Sequence, residues 1–423
     1  MSIKSFFYLV PNISADGRTR DWTAGFLLIG ILMAVPGPLM VAWRYQLEND
    51  PRMVGLHFLA LNGSSLLGAY FCHLLRQHVG LRSAVVSACL LAIAGFVSFV
   101  FSSPPVPVEW RIGGMGLLGA AAGVLLYGLS FLLRPYYAGH AAATLNWSGL
   151  LVAFGSLLVT AAVGSAYSLH SMQWEAAVLT VFPLAFLILY LRRNAPARAA
   201  LESADDIAIR HTPKDLHSIA GILFSLVLFF QAGNEWSLAG WLPLFLIHRL
   251  GTSPPSAIFV LAIFFAALVT GRVFARSLLR RLRHSRLLLM CVITTMLGCL
   301  LLSETNTLTG AALATLLTGL SLAPIYPLTA ARIGRRFEGG RLSSLQVFSL
   351  GATGAMLGPS LVGVVAYYLG LNYVLWIPAL GSLAVLILMW SILFESKLMK
   401  ANLQPPSSVQ NGSSKAARAG SDS

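Results

Sequence analysis

Apolar stretches long enough to cross a bilayer recur along almost the whole chain, each bounded by basic residues or by turns rich in Gly and Pro. A transmembrane helix needs about 20 predominantly apolar residues. Stretches of that kind lie near residues 22–46, 53–75, 83–102, 111–133, 142–166 and 174–191, and again near 218–247, 255–275, 287–303, 308–331, 345–369 and 372–394. In hydrocarbon the backbone must satisfy its own hydrogen bonds, so segments of this length fold as helices. The prediction is an all-α integral membrane protein with 12 transmembrane helices in two six-helix halves. Composition excludes the main alternative. With 57% hydrophobic and 10% charged residues among 423, against about 25% charged in a soluble domain, the chain has no means of covering a large water-facing catalytic domain.

The formal charge of +14 could point to nucleic acid, but its distribution points to insertion topology instead. If both termini are cytoplasmic, 24 of the 29 Lys and Arg fall on the inner side. Arg44, Arg52, Arg111 and Arg249 fall outside, and Arg272 lies within a span. That bias predicts a multi-pass protein of the plasma or inner membrane, with the lipid bilayer as its surroundings and no nucleic-acid partner. The four cysteines, Cys72, Cys89, Cys291 and Cys299, lie in apolar segments and act as small hydrophobes rather than as a disulfide framework.

The longest polar stretch between spans divides the chain in two. Residues 1–21 read as a cytoplasmic N-terminal segment, 22–191 as a six-helix bundle, 192–217 as a cytoplasmic linker and 218–394 as a second bundle. Residues 395–423, rich in Ser, Gly and other small residues, read as a disordered cytoplasmic tail. The halves echo one another. Leu125 to Ser130 recurs as Leu316 to Ser321, Gly68 with Phe71 and Arg76 as Gly271 with Phe274 and Arg280, and Leu145-Asn146 as Leu345-Gln346. A parallel repeat of six spans is the plan of a rocker-type transporter with its substrate site near midplane.

The seventh span carries Gln231, Asn234, Glu235 and Trp236, then Gly240, Trp241 and Pro243. The eighth carries Gly271-Arg272, the tenth Gly319, Pro324, Tyr326 and Pro327, and the fifth Asn146 ahead of Gly155. On these residues the chain resembles the major facilitator superfamily, and within it the fucose-permease and glucose/galactose sugar transporter group. The resemblance covers nearly all of residues 20–395. It implies a secondary transporter importing a sugar by alternating access.

Read for their chemistry alone, the same residues carry the site. Glu235 is the one acidic residue deep in a span, and ionisable groups at that depth are costly and mark function. A carboxylate that has given up its hydration is suited to take up and release a proton as its surroundings change, which makes a proton or another ion the expected coupling partner. Gln231, Asn234 and Trp236 surround it, with Gly233, Gly240 and Pro243 expected to weaken the helix and expose backbone to a ligand. Amides and a carboxylate can bond several hydroxyls, and an indole can stack on a sugar face. Trp241 serves either binding or packing. Asn62, Asn146, Tyr326 and Gln346 are polar groups in apolar surroundings that line a cavity or tie helices together, with Asn146 and Gln346 equivalent by the repeat. Arg272 is expected to hold the cytoplasmic gate, and Arg44 to snorkel at the outer end of span 1 or meet an anionic solute there.

No residues have the spacing of a metal or haem site, and no phosphate-binding loop of the Gly-x-x-x-x-Gly-Lys type occurs. No cofactor is expected, and the energy must come from a gradient. Within transport, the rival is an exporter of amphipathic compounds or lipids, favoured by the absence of acids from spans 1 and 4. Outside it, the rival is a membrane-embedded lipid-modifying enzyme, which needs catalytic His, Asp or Glu residues clustered at a membrane face.

Overall fold

A computed structural model describes residues 17–45, 50–78, 80–102, 106–167, 172–192, 219–279, 282–336 and 344–402. They form thirteen α-helices and one short 3-10 turn, Leu371–Tyr373. In chain order the helices are α1 Gly17–Ala34, α2 Pro36–Ala42, α3 Pro51–His78, α4 Leu81–Phe101, α5 Val108–Tyr167 and α6 Met172–Leu191. They continue with α7 Ile219–Leu250, α8 Pro254–Leu279, α9 His284–Glu304, α10 Leu308–Leu322, α11 Ile325–Arg336, α12 Ser344–Leu369 and α13 Trp376–Asn402. The all-α membrane fold expected from the sequence is what forms.

Nine apolar stretches within these helices are long enough to cross a bilayer among the described residues. The bent pair α1–α2 and two shorter apolar helices, Ala176–Leu191 and Thr353–Leu369, occupy the remaining predicted span positions. The bend of 41° between α1 and α2 falls at Val35-Pro36, where proline cannot donate to the preceding turn. Elsewhere helices stop where the backbone turns to positive φ at glycine, as at Gly80, Gly251 and Gly370. Thr307 caps α10, its hydroxyl accepting the Gly310 N–H at 3.1 Å.

Helix α5 contains the predicted fourth and fifth spans in one helical run of 60 residues. Straight, it would extend about 90 Å, three times a bilayer core. Its contacts show that it doubles back: Gly25 of α1 meets Leu129 and Gly30 meets Val152, so residues far apart along α5 lie within two turns of each other on α1. Gly114 meets Ser98 and Phe99 while Gly128 meets Leu81, so the first stretch runs antiparallel to α4. Gly149 meets Arg272 and Gly164 meets Ile258, so the second runs antiparallel to α8.

Helices α1–α6 pack mainly on one another, as do α7–α13, and the two groups meet chiefly through α3 against α12 and α5 against α8. The predicted weakening of span 7 does not occur: α7 stays helical through Gly233, Gly240 and Pro243. Its glycines allow close approach instead. A side chain at Gly240 would strike the Phe58 ring, and a Cβ at Gly358 of α12 would lie 2.7 Å from the Gly233 Cα.

Candidate functional site

Between the two helix groups lies a cavity of about 160 Å³. Phe26, Ile29 and Met33 of α1 line it with Asn62 and Ser65 of α3, Ser148, Gly149 and Val152 of α5, and Ala232, Glu235 and Trp236 of α7. Arg272 of α8, Tyr326 and Pro327 of α11, and Gly351 and Ala355 of α12 complete most of its wall. Glu235 stands at the midpoint of the 32-residue α7, so the cavity sits about halfway across the bundle. A void of this size matches a benzene-sized guest, about 150 Å³ in a well-studied engineered cavity.

The cavity is mostly apolar and holds one ion pair. Arg272 Nη2 donates to Glu235 Oε1 at 3.1 Å, and the two side chains are 7% and 16% exposed. Arg272 Nη1 also donates to the Gly149 carbonyl on α5, so one guanidinium ties α7 and α8 to the other helix group. Asn146 Nδ2 reinforces that seam by donating to the Arg272 carbonyl at 3.1 Å. Arg272 Nε is buried and has no partner among the described residues. A charge drawn out of water is costly unless paired, and losing one partner of such a pair leaves the other uncompensated. The pair is therefore a natural place for a proton or a ligand to act.

Five expected residues converge on this cavity: Glu235, Trp236, Asn62, Tyr326 and, in an unexpected role, Arg272. Arg272 does not stand alone at a cytoplasmic gate; it meets Glu235 inside the cavity. Asn62 Nδ2 donates back to the Phe58 carbonyl at 3.0 Å, leaving its Oδ1 buried without a partner among the described residues. Three other expected residues face away. Gln231 Nε2 donates to the Leu322 carbonyl at 3.2 Å, in the last turn of α10, where helical partners run out. Asn234 Nδ2 donates to Ser382 Oγ of α13 at 3.3 Å. Trp241 is fully buried, its Nε1 donating to the Pro359 carbonyl at 2.9 Å with its ring 6.2 Å from that of Phe58. All three tie helices together, the commoner fate of a polar group among membrane helices.

Asn146 touches the site through the Arg272 backbone rather than from the cavity wall. Arg44 is exposed beyond the end of α2, with φ 60°, and is not on that wall. The Gln346 side chain lies outside the described residues, as do the linker at 193–218 and the tail beyond 402. Sequence reasoning missed Ser65, Ser148 and the Gly149 carbonyl. Small hydroxyls are common in apolar helices, and a helical carbonyl accepting from a distant side chain leaves no sequence signal.

Toward one end of the cavity two helices meet as backbone. Gly55 of α3 lies against Gly363 of α12, where a Cβ on Gly363 would sit 2.8 Å from the Gly55 Cα. Asn62 is two turns of α3 further along, about 10 Å deeper. This is the face the charge count assigns to the outside. The Arg272 bridge to Gly149 crosses between the helix groups at the level of the cavity itself.

Residues 224–419 match the Major Facilitator Superfamily. An uncharacterized MFS-type transporter of Yersinia pestis is 22% identical over 381 residues, covering 89% of this chain and 94% of that protein. The cyanate transport protein CynX of Escherichia coli K12 is 28% identical over 183 residues, 42% of this chain and 47% of that one. Among solved structures, the partially occluded, inward-open xylose transporter XylE of E. coli superposes with TM-score 0.66 at 16% identity, covering 88% of this chain and 98% of its own. FucP in its outward conformation superposes with TM-score 0.57 at 15% identity, with the same coverages. At such identities the structural likeness speaks for the fold alone.

Proposed function

We propose that this chain is a secondary transporter of the major facilitator superfamily, a reading supported by its fold and by the match over its second half, and that it carries a small polar solute through the central cavity by alternating access, with Glu235 as its proton carrier. The observation behind this reading is the Arg272–Glu235 pair set in a mostly apolar cavity where the two helix groups meet. Gly55 against Gly363 and Arg272 against Gly149 are contacts between the two helix groups, and alternating access requires contacts of this kind to part on each side in turn. Among the described residues no catalytic groups cluster at a membrane face, which weighs against a lipid-modifying enzyme.

The cavity favours a compact solute over the lipids of the exporter reading, since a benzene-sized void does not take an acyl chain of membrane length. It also offers less to a sugar than the sequence promised. Gln231 and Asn234 are engaged between helices, leaving Asn62, Ser65, Ser148 and Tyr326 beside the ion pair. The test is reconstitution. In proteoliposomes, Glu235→Gln should abolish accumulation driven by a pH gradient yet retain exchange of labelled solute at equilibrium. Full gradient-driven uptake by that variant rules out Glu235 as the proton carrier.

A further inference from the structure

We infer that the solute is a small monocarboxylate, bound by Arg272 in place of Glu235 and carried with one proton, so that each translocation is electroneutral. The inference rests on the transport reading above and names its substrate class.

The argument begins with the unused edge of Arg272. Its Nη1 is held by the Gly149 carbonyl and its Nη2 by Glu235, while Nε is buried with no acceptor among the described residues. Nε and Nη2 lie along one edge of the planar guanidinium, the edge that receives a carboxylate in two parallel hydrogen bonds. At present Glu235 fills half of that fork. A proton taken up on Glu235 removes the negative charge that Nη2 faces and leaves Arg272 an uncompensated cation in an apolar cavity. A carboxylate arriving there restores the balance and fills both positions. Among the described residues nothing else nearby can. The charged or titratable side chains facing Glu235 are Arg272 of α8 and Tyr326 of α11. The described parts of α1, α2, α3, α5, α10, α12 and α13 present none to it.

Charge bookkeeping then gives the coupling. The empty cavity, with Glu235 ionised and Arg272 charged, is neutral. The loaded cavity, with Glu235 protonated, Arg272 charged and the solute anionic, is neutral too. The two mixed states, proton without anion and anion without proton, carry a net charge that must be occluded in hydrocarbon, which is costly. Only the empty and the doubly loaded forms therefore reorient readily, and proton and anion cross together. A neutral sugar carried with a proton would instead leave the loaded cavity positive and its transport sensitive to membrane potential. The cavity volume of about 160 Å³ suits a guest near the size of benzene.

The full chain in proteoliposomes tests this, with radiolabelled formate, acetate, pyruvate and lactate set against xylose, fucose and glucose, and with flux through protein-free liposomes subtracted. An acidic exterior should drive uptake of at least one carboxylate together with protons, at a rate unchanged by an imposed membrane potential. Arg272→Gln should reduce that uptake by about tenfold or more by removing the fork. By thermal shift, the wild-type protein should bind the same carboxylate about tenfold more tightly for each pH unit lowered, the limit for one linked proton. Glu235→Gln, fixed neutral, should bind it with no such pH dependence. Carboxylate uptake whose rate follows the potential overturns electroneutral coupling. Uptake of a sugar and of no carboxylate overturns the substrate class while leaving the transport reading intact. If no probe of either class moves or binds, both readings fail.

Discussion

On α7 the residues that cluster in sequence do not cluster on one face. At about 100° per residue, Ala232 and Trp236 fall to one side of Glu235 and line the cavity with it, while Asn234 and Trp241 turn the other way toward α13 and α12. Polarity in an apolar span marked all of these residues, but only the azimuth separates the cavity wall from the helix seam. Two substitutions should show the difference. Trp241→Phe keeps the ring against Phe58 and removes the bond to the Pro359 carbonyl, so it should cost about 1 kcal/mol of stability and leave solute affinity unchanged, as read by denaturation and binding on the same preparation. Asn62→Ala should do the reverse, weakening solute binding through loss of a polar side chain on the cavity wall whose Oδ1 has no partner among the described residues, with little change in melting temperature. A Trp241 variant that lost affinity without losing stability would return that residue to the site.

On the transport reading the helices must carry the gates, and at the Gly55–Gly363 seam the decisive residues are those without side chains. Gly363→Val would place a Cβ 2.8 Å from the Gly55 Cα, between two backbones that have no flexible group to yield. The substitution should wedge α3 from α12 and hold that face open, which a thiol reagent added from that side would report as faster labelling of a cysteine introduced at Asn62. Labelling no faster than in the parent would place the gate elsewhere. Of the elements, the spans were legible because about 20 apolar residues have few ways to satisfy their backbone. The meaning of the α7 glycines was not. Gly233 and Gly240 invite a break in an isolated helix, and only the approach of Gly358 and Phe58 shows that they serve packing. The continuity of α5 through its reversal was equally hidden, since the sequence there offers two good spans and no clear turn. At the site, Glu235 was visible as a lone deep acid, whereas its pairing with Arg272 joins residues 37 apart in sequence on different helices.

Across the whole molecule, the bias of Lys and Arg makes an orientation testable. A cysteine at Ala204, within the segment outside the described residues, should resist membrane-impermeant maleimide in intact cells and react once the membrane is opened. Strong labelling in intact cells would invert the topology, and with it the assignment of the Gly55–Gly363 seam to the outer face. That seam has a mechanical consequence of its own. Faces that meet as bare backbone have no interdigitating side chains to withdraw, so parting them requires no sequence of rotamer changes. Their attraction is dispersion, of which a gap of about an ångström already forfeits roughly half. Such a seam behaves as a latch with two positions, fully seated or fully parted, and gives the molecule little opportunity to linger ajar.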